Sequence, residues 1–185
     1  IPALDANTEI RVLTVSDNIV KSDKTLKIKA NIQGVLPAIT GTINIVDKDT
    51  AVVDVEDAIV NETEGVVRVP IRMSKANANS VSLNVVTEDV TADSNDYVGI
   101  NTIVTFPAGS TEQFVDIIIR QDSIYEGPET FNVVIKSVSN SSVIIGKGVG
   151  VVTILDDDLV PNVASISSTT ISEGSIATHT VSLTN

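Results

Sequence analysis

Three consecutive carboxylates, Asp156, Asp157 and Asp158, close the stretch GVVTILDDDLV, which runs from Gly150 to Val160. They follow directly on an apolar, β-like run through Val151, Val152, Ile154 and Leu155. Adjacent carboxylates repel one another, and at the end of a buried strand they share little bulk water. The arrangement calls for a cation. A thiolate-bound metal is excluded, because the chain has no cysteine, and the same absence removes disulfide staples and a cysteine nucleophile.

The elements that must position these acids are strands. Val67, Val69, Ile71 and Met73 alternate with Val66, Arg68, Pro70 and Arg72. Val81, Leu83 and Val85 form a second alternating set, Val115, Ile117 and Ile119 a third, and Phe131, Val133 and Ile135 a fourth. The sets are short, β-branched and separated by turn-rich stretches such as KANANS and FPAGS, and no helical period with caps is sustained. The pattern predicts an all-β chain built as an antiparallel sandwich.

Internal repeats refine this. Asp17–Ile28 (DNIVKSDKTLKI) aligns without gaps on Asp122–Val133 (DSIYEGPETFNV), an offset of 122 − 17 = 105. Gly41–Ala51 matches Gly150–Val160, and NETEG (Asn61–Gly65) matches TISEG (Thr170–Gly174), each offset by 109 (156 − 47 and 173 − 64). A period near 109 residues is a whole sandwich domain rather than a solenoid turn. Residues 1–49 are expected to be the back half of one repeat, 50–158 a complete repeat, and 159–185 the start of a third. The start at Ile1, with no leader-like segment after it, reads as an internal piece of a longer chain.

The ordered motifs TEG, TEDVTADSNDY, FPAGSTEQFVDIIIRQDSIYEGPETF and GVVTILDDD resemble the Calx-beta family over the whole central repeat. The resemblance implies an immunoglobulin-like sandwich that binds Ca²⁺ at one pole, as in sodium/calcium exchangers and many bacterial surface proteins. Carried over by position, the ligands it implies are Glu64, Asp89, Asp122, Glu126, Glu129, Asp156, Asp157 and Asp158. Gln121 and Ser123 stand where exchanger modules carry further acids, and TEDV lacks the usual glycine, which bears on the number of ions. Elementary chemistry agrees with the implied metal. Ca²⁺ takes about 6–8 oxygen ligands in flexible geometry, and loops that gather at a sandwich pole can supply them. Asp96, before Tyr97, reads as a turn-capping residue, and the lone His179 as structural.

The first fragment departs from the pattern. Lys21 stands opposite Glu126, Lys24 opposite Glu129 and Lys48 opposite Asp157, so its metal site is expected to be lost or weakened.

Charge and composition narrow the function. Twelve Lys and Arg against 24 Asp and Glu give a formal net charge of −12, and aromatics are 3% without tryptophan. Nucleic acid and anionic membrane surfaces are disfavoured partners, and no stretch approaches the ~20 apolar residues of a membrane span. No Ser–His pair, HExxH or phosphate loop is present, so the chain is not expected to be an enzyme. The favoured reading is a calcium-stiffened extender module of a long extracellular, cell-surface adhesin whose partners are neighbouring repeats. Head-to-tail strand complementation between copies, through residues 9–46 and 163–183, is a further expectation. A cytosolic calcium sensor and a ligand-gripping adhesin tip are the alternatives.

Overall fold

Short, β-branched runs punctuated by turn residues leave little choice but strands, and the described residues form thirteen of them. The computed structural model describes residues 9–32 and 35–184. In chain order the strands are β1 (Lys24–Ile32), β2 (Val35–Ile45), β3 (Ala51–Val55), β4 (Ala58–Asn61), β5 (Val66–Met73), β6 (Val81–Asp89) and β7 (Asn101–Phe106). They continue as β8 (Glu112–Ile118), β9 (Glu129–Val138), β10 (Val143–Ile145), β11 (Val149–Leu155), β12 (Val163–Ile166) and β13 (Val181–Leu183). Helical structure among the described residues is confined to one 3₁₀ turn at Glu62–Glu64.

Residues 51–155 make the sandwich. One sheet has the order β10-β3-β5-β8, the other β4-β11-β9-β6-β7. Alternation puts one face of each strand inward. Val67, Val69, Ile71 and Met73 of β5 are buried while Arg68 and Arg72 stay outside. Val81, Leu83 and Val85, Val115 and Ile117, and Phe131, Val133 and Ile135 close the same core. Each such aliphatic or aromatic side chain contributes about 1.5–3 kcal/mol by leaving water.

Two edge pairings are parallel rather than antiparallel. β3 lies parallel to β10 and β4 parallel to β11. The cause is local: a single extended run breaks at Glu56-Asp57 and its second half crosses to the other sheet. Arg72 pairs with Glu56 and Lys147 with Asp57, fixing the crossing from both sides. Gly150 of β11 makes room for it, because a Cβ there would lie 2.3 Å from the Glu56 carbonyl oxygen and 3.0 Å from Val55 Cγ2.

The flanking segments carry echoes of the sandwich. In β1–β2, Lys24 faces Ile45 and Leu26 faces Ile43. In β9–β11, Glu129 faces Ile154 and Phe131 faces Val152, the same register after the sequence offsets of 105 and 109. Val53 faces Met73 in β3–β5, and Val163 faces Leu183 in β12–β13, both displaced by 110 (163 − 53 and 183 − 73). Among the described residues each flanking pair is its own two-stranded sheet, and no ladder joins β1–β2 to β12–β13.

Gly150→Ala should test the crossing. The added methyl group has a backbone oxygen in its way, so the fold must shift at a cost of about 1–3 kcal/mol, seen as a lower urea midpoint with unchanged slope. A midpoint equal to wild type would show that the strands do not approach as closely as described.

Candidate metal centre

At one pole of the sandwich the end of β4, the β6–β7 connection, the β8–β9 connection and the end of β11 converge. Each contributes acids, and each is held there by a different local device. After β4, Asn61 opens the 3₁₀ turn, and both its backbone N–H and its side-chain amide donate to Glu64 Oε1, at 3.3 and 3.1 Å. This Asn-x-x-Glu box ties Glu64 back to the turn's own start. Glu62 is left free of the cap. Gly65, at φ 71°, then turns the chain into β5.

The β6–β7 connection is anchored by Tyr97. Its ring is buried and stacks on Phe131, with centroids 4.0 Å apart and planes 8° from parallel. Its hydroxyl donates to Asp89 Oδ1. Burial, seconded by that bond to Asp89, pushes the Tyr97 hydroxyl up to about 12, so the phenol stays protonated and donating. With Tyr97 fixed, its neighbour Asp96 is held at the pole. Asp96 Oδ2 accepts from the Asp93 amide at 2.7 Å, and its carbonyl accepts from Arg120 N at 2.7 Å.

The β8–β9 connection, which carries Asp122, Glu126 and Glu129, hangs from acids of its neighbours. The Asp122 amide donates to Glu62 Oε1 at 2.8 Å, and the Glu126 amide to Asp156 Oδ2 at 2.6 Å. Asp156 Oδ1 accepts in turn from the Asp158 amide at 2.8 Å.

Two trios result. Carboxylate oxygens of Glu62, Asp156 and Asp157 lie within 4.8 Å of one another, and so do those of Asp96, Glu126 and Glu129. One small cleft touches both, lined by Glu62, Asp96, Glu126, Glu129 and Asp156 together with Arg120. Desolvation, reinforced by neighbouring charge, raises four of these acids. Desolvation first, then a hydrogen bond shared with Asp96 and the charges around it, push Glu129 up to about 7. Glu126 is raised by desolvation and by Asp96, Asp122 and Asp156. Glu62 is raised by desolvation, against the Asp122 amide bond and with the charges of Asp122, Asp158 and Asp156. Asp158 is raised by desolvation and by Asp156, Asp157 and Asp122.

Of the eight residues implied by resemblance, Glu126, Glu129, Asp156 and Asp157 stand in the two trios. Asp122 and Asp158 adjoin them. Two others point elsewhere: Glu64 is exposed and engaged by Asn61, and Asp89 is exposed and engaged by Tyr97. Their places in the trios are taken by Glu62 and Asp96. Asp96 does cap its turn, and its carboxylate joins the acids as well. The Asn-x-x-Glu spacing could have committed Glu64 to a cap and pointed to Glu62. Arg120 lines the same cleft and places one basic residue among the acids.

The donors fit a hard divalent cation. They are all carboxylate oxygens from four separate segments, and Asp158 Oδ2 is buried with no hydrogen-bond donor to satisfy it.

The family model described as the Calx-beta domain matches residues 45–158. Solved structures similar to this chain include the apo form of the Calx CBD1 domain, 24% identical with a TM-score of 0.55, which spans 60% of this chain and 100% of its own. CBD12 from CALX1.2 is 26% identical at a TM-score of 0.55, over 58% of this chain and 46% of that one. The calcium binding domain CBD12 of CALX1.1 is 25% identical at 0.55, over 61% and 50% respectively. This chain thus spans about half the length of the two CBD12 structures.

The raised carboxylates set a pH dependence. An acid whose pKa is higher folded than unfolded holds its proton better in the fold, so its favourable contribution is complete at low pH and disappears as pH rises. For Glu129 the window runs from its ordinary 4.5 to about 7. Metal-free protein should therefore lose melting temperature across that window, and Glu129→Gln should flatten the slope. Equal slopes for wild type and E129Q would contradict the raised Glu129 carboxyl described.

Proposed function

This chain belongs to the Calx-beta family, and from that premise we propose that its sandwich binds Ca²⁺ at the acid-lined pole and serves as a stiffening module of a long extracellular repeat protein. The observation that carries the reading is the pair of carboxylate trios sharing one cleft, beside a buried carboxylate oxygen that lacks a donor. Glu62, Asp96, Glu126, Glu129, Asp156 and Asp157 hold the ion, with Asp122 and Asp158 adjoining. The bound ion neutralises carboxylates that repel one another without it. The loops already rest on these acids through the Asp122 and Glu126 amides, so a cation held by the same carboxylates tightens the whole pole.

Repeats, acidity and the absence of cysteine support the extracellular setting. A chain without disulfides gains a staple from calcium, which is millimolar outside cells, so even a weak site fills there. Neighbouring repeats are the natural partners. The module is a binder rather than a catalyst. The likeness to the CBD12 structures favours a second reading, a regulatory sensor, which requires submicromolar affinity.

Calcium titration with thermal melting tests both readings. At free Ca²⁺ about 100 times Kd one site adds about 2.7 kcal/mol, which is several degrees for a domain of this size. Identical melts in calcium and in chelator would sink the proposal, and a submicromolar Kd would move it to the sensor. A pair of variants separates the acids. Glu62→Gln should weaken calcium binding about tenfold or more, through loss of a ligand charge. Glu64→Gln should leave both the affinity and the cap near wild type, because a glutamine Oε1 still accepts from Asn61. The opposite ranking would restore Glu64 as the ligand.

A further inference from the structure

The segment ahead of β1 does not merely precede the sandwich; it plugs into it. Val20 is 1% exposed and lies in the sandwich core cluster. Its backbone makes a parallel bridge to Asn77, donating to Ala76 O at 3.0 Å and accepting from the Ala78 amide at 2.8 Å. Around this plug Lys75 pairs with Asp49 at 2.7 Å, and Asn79 Nδ2 donates to Ser22 Oγ at 3.4 Å. One residue of the preceding repeat is therefore seated between the β5–β6 connection and the core of the next.

The loop that carries Val20 recurs at the far end of the sandwich. At the offset of 105, Asp17, Ile19, Val20, Lys21 and Ser22 correspond to Asp122, Ile124, Tyr125, Glu126 and Gly127. The hydrogen bonds correspond as well. The Ile19 amide donates to Asp17 Oδ1 at 3.0 Å and the Ile124 amide to Asp122 Oδ1 at 2.7 Å. The Lys21 amide donates to Asp47 Oδ2, and the Glu126 amide to Asp156 Oδ2. The Asp49 amide donates to Asp47 Oδ1 at 3.1 Å and the Asp158 amide to Asp156 Oδ1 at 2.8 Å. Two loops with the same internal bonds present the same residue outward. In one loop that residue is buried in a neighbour. In the other, Tyr125 is 49% exposed beside Ile124 at 63%.

We propose that Tyr125 is the plug by which this sandwich docks the repeat that follows it, seated against that repeat's β5–β6 connection as Val20 is seated here. The occupant is a second sandwich of the same fold, whose opening is matched by residues 159–185. The inference rests on the Val20 joint and not on metal binding. The two joints differ in what steadies the plug loop. In the first, the Lys21 ammonium pairs with Asp17, a cation supplied by the chain itself. In the second, Glu126 replaces that lysine and the loop stands among carboxylates instead.

An in-register tandem tests the proposal: residues 1–158 followed by a second copy of 50–158. The chain lacks cysteine, so introduced pairs are the only thiols. Ser22→Cys with Asn79→Cys in the first copy is the control, reporting the Val20 joint with a short bis-maleimide. Gly127→Cys with Asn79→Cys in the second copy reports the proposed joint; a Cβ at Gly127 meets nothing within 4 Å. Cross-linking at a yield comparable to the control, in calcium or in chelator, and at least about tenfold lower when Tyr125→Asp is added, is the expected result. Absence of the second cross-link under both conditions while the control forms would overturn the proposal. So would a cross-link indifferent to Y125D.

Discussion

Repulsion among carboxylates at one pole is the constraint that the rest of the structure answers to. Glu62, Asp96, Glu126, Glu129, Asp156 and Asp157 are drawn together from four segments that are far apart in the sequence. Left to themselves, loops carrying such charges would splay into water. They do not, because the two sheets fix the strand ends on which the loops are mounted, and the apolar core fixes the sheets. Core packing thus holds an electrostatic load at the periphery, and desolvation, with neighbouring carboxylates adding to it, raises Glu129, Glu126, Glu62 and Asp158.

The loops are also shaped by the acids that burden them. Glu62 and Asp156 accept amides from the β8–β9 connection, so each carboxylate spends one oxygen on positioning the next group of carboxylates. Tyr97 serves the same end by other means, since its buried ring and its bond to Asp89 fix the point from which Asp96 projects. The segment ahead of the sandwich shows the device with the load relieved. It keeps the amide bonds to Asp17 and Asp47 and answers the charge with Lys21.

Strands and faces were legible in the sequence because a half-buried strand writes its burial with a period of two, and β5, β6, β8 and β9 each do so. The register of β1–β2 was implicit too, in the ungapped match between Asp17–Ile28 and Asp122–Val133. The acid pole was legible as a neighbourhood, and less so residue by residue. Glu62 and Glu64 stand two positions apart in one 3₁₀ turn, and the bonds from Asn61 hold the second of them to the turn. Asp89 and Asp96 were confused for a similar reason: a hydroxyl donor eight residues on engages the first and leaves the second. Arg120 lay beyond reach, because which way a residue at a strand end points depends on the crossing of loops. The sheet switch at Glu56-Asp57 had no periodic signature, although Gly150 opposite marks the place where backbones come close.

That switch has a mechanical side. The chain enters the sandwich through β3 and β4 and leaves through β11, and β4 runs parallel to β11 over four residue pairs, Ala58 with Val152 through Asn61 with Leu155. Tension applied to the two ends of the domain pulls parallel strands in opposite directions along their own axes. Their hydrogen bonds are then loaded in shear, side by side, and must fail together; an antiparallel pair of terminal strands would instead peel open one bond at a time. β3 against β10 adds a second parallel contact close to the entry. Pulled at its two ends, the domain would thus meet the load with a parallel terminal ladder that resists unzipping.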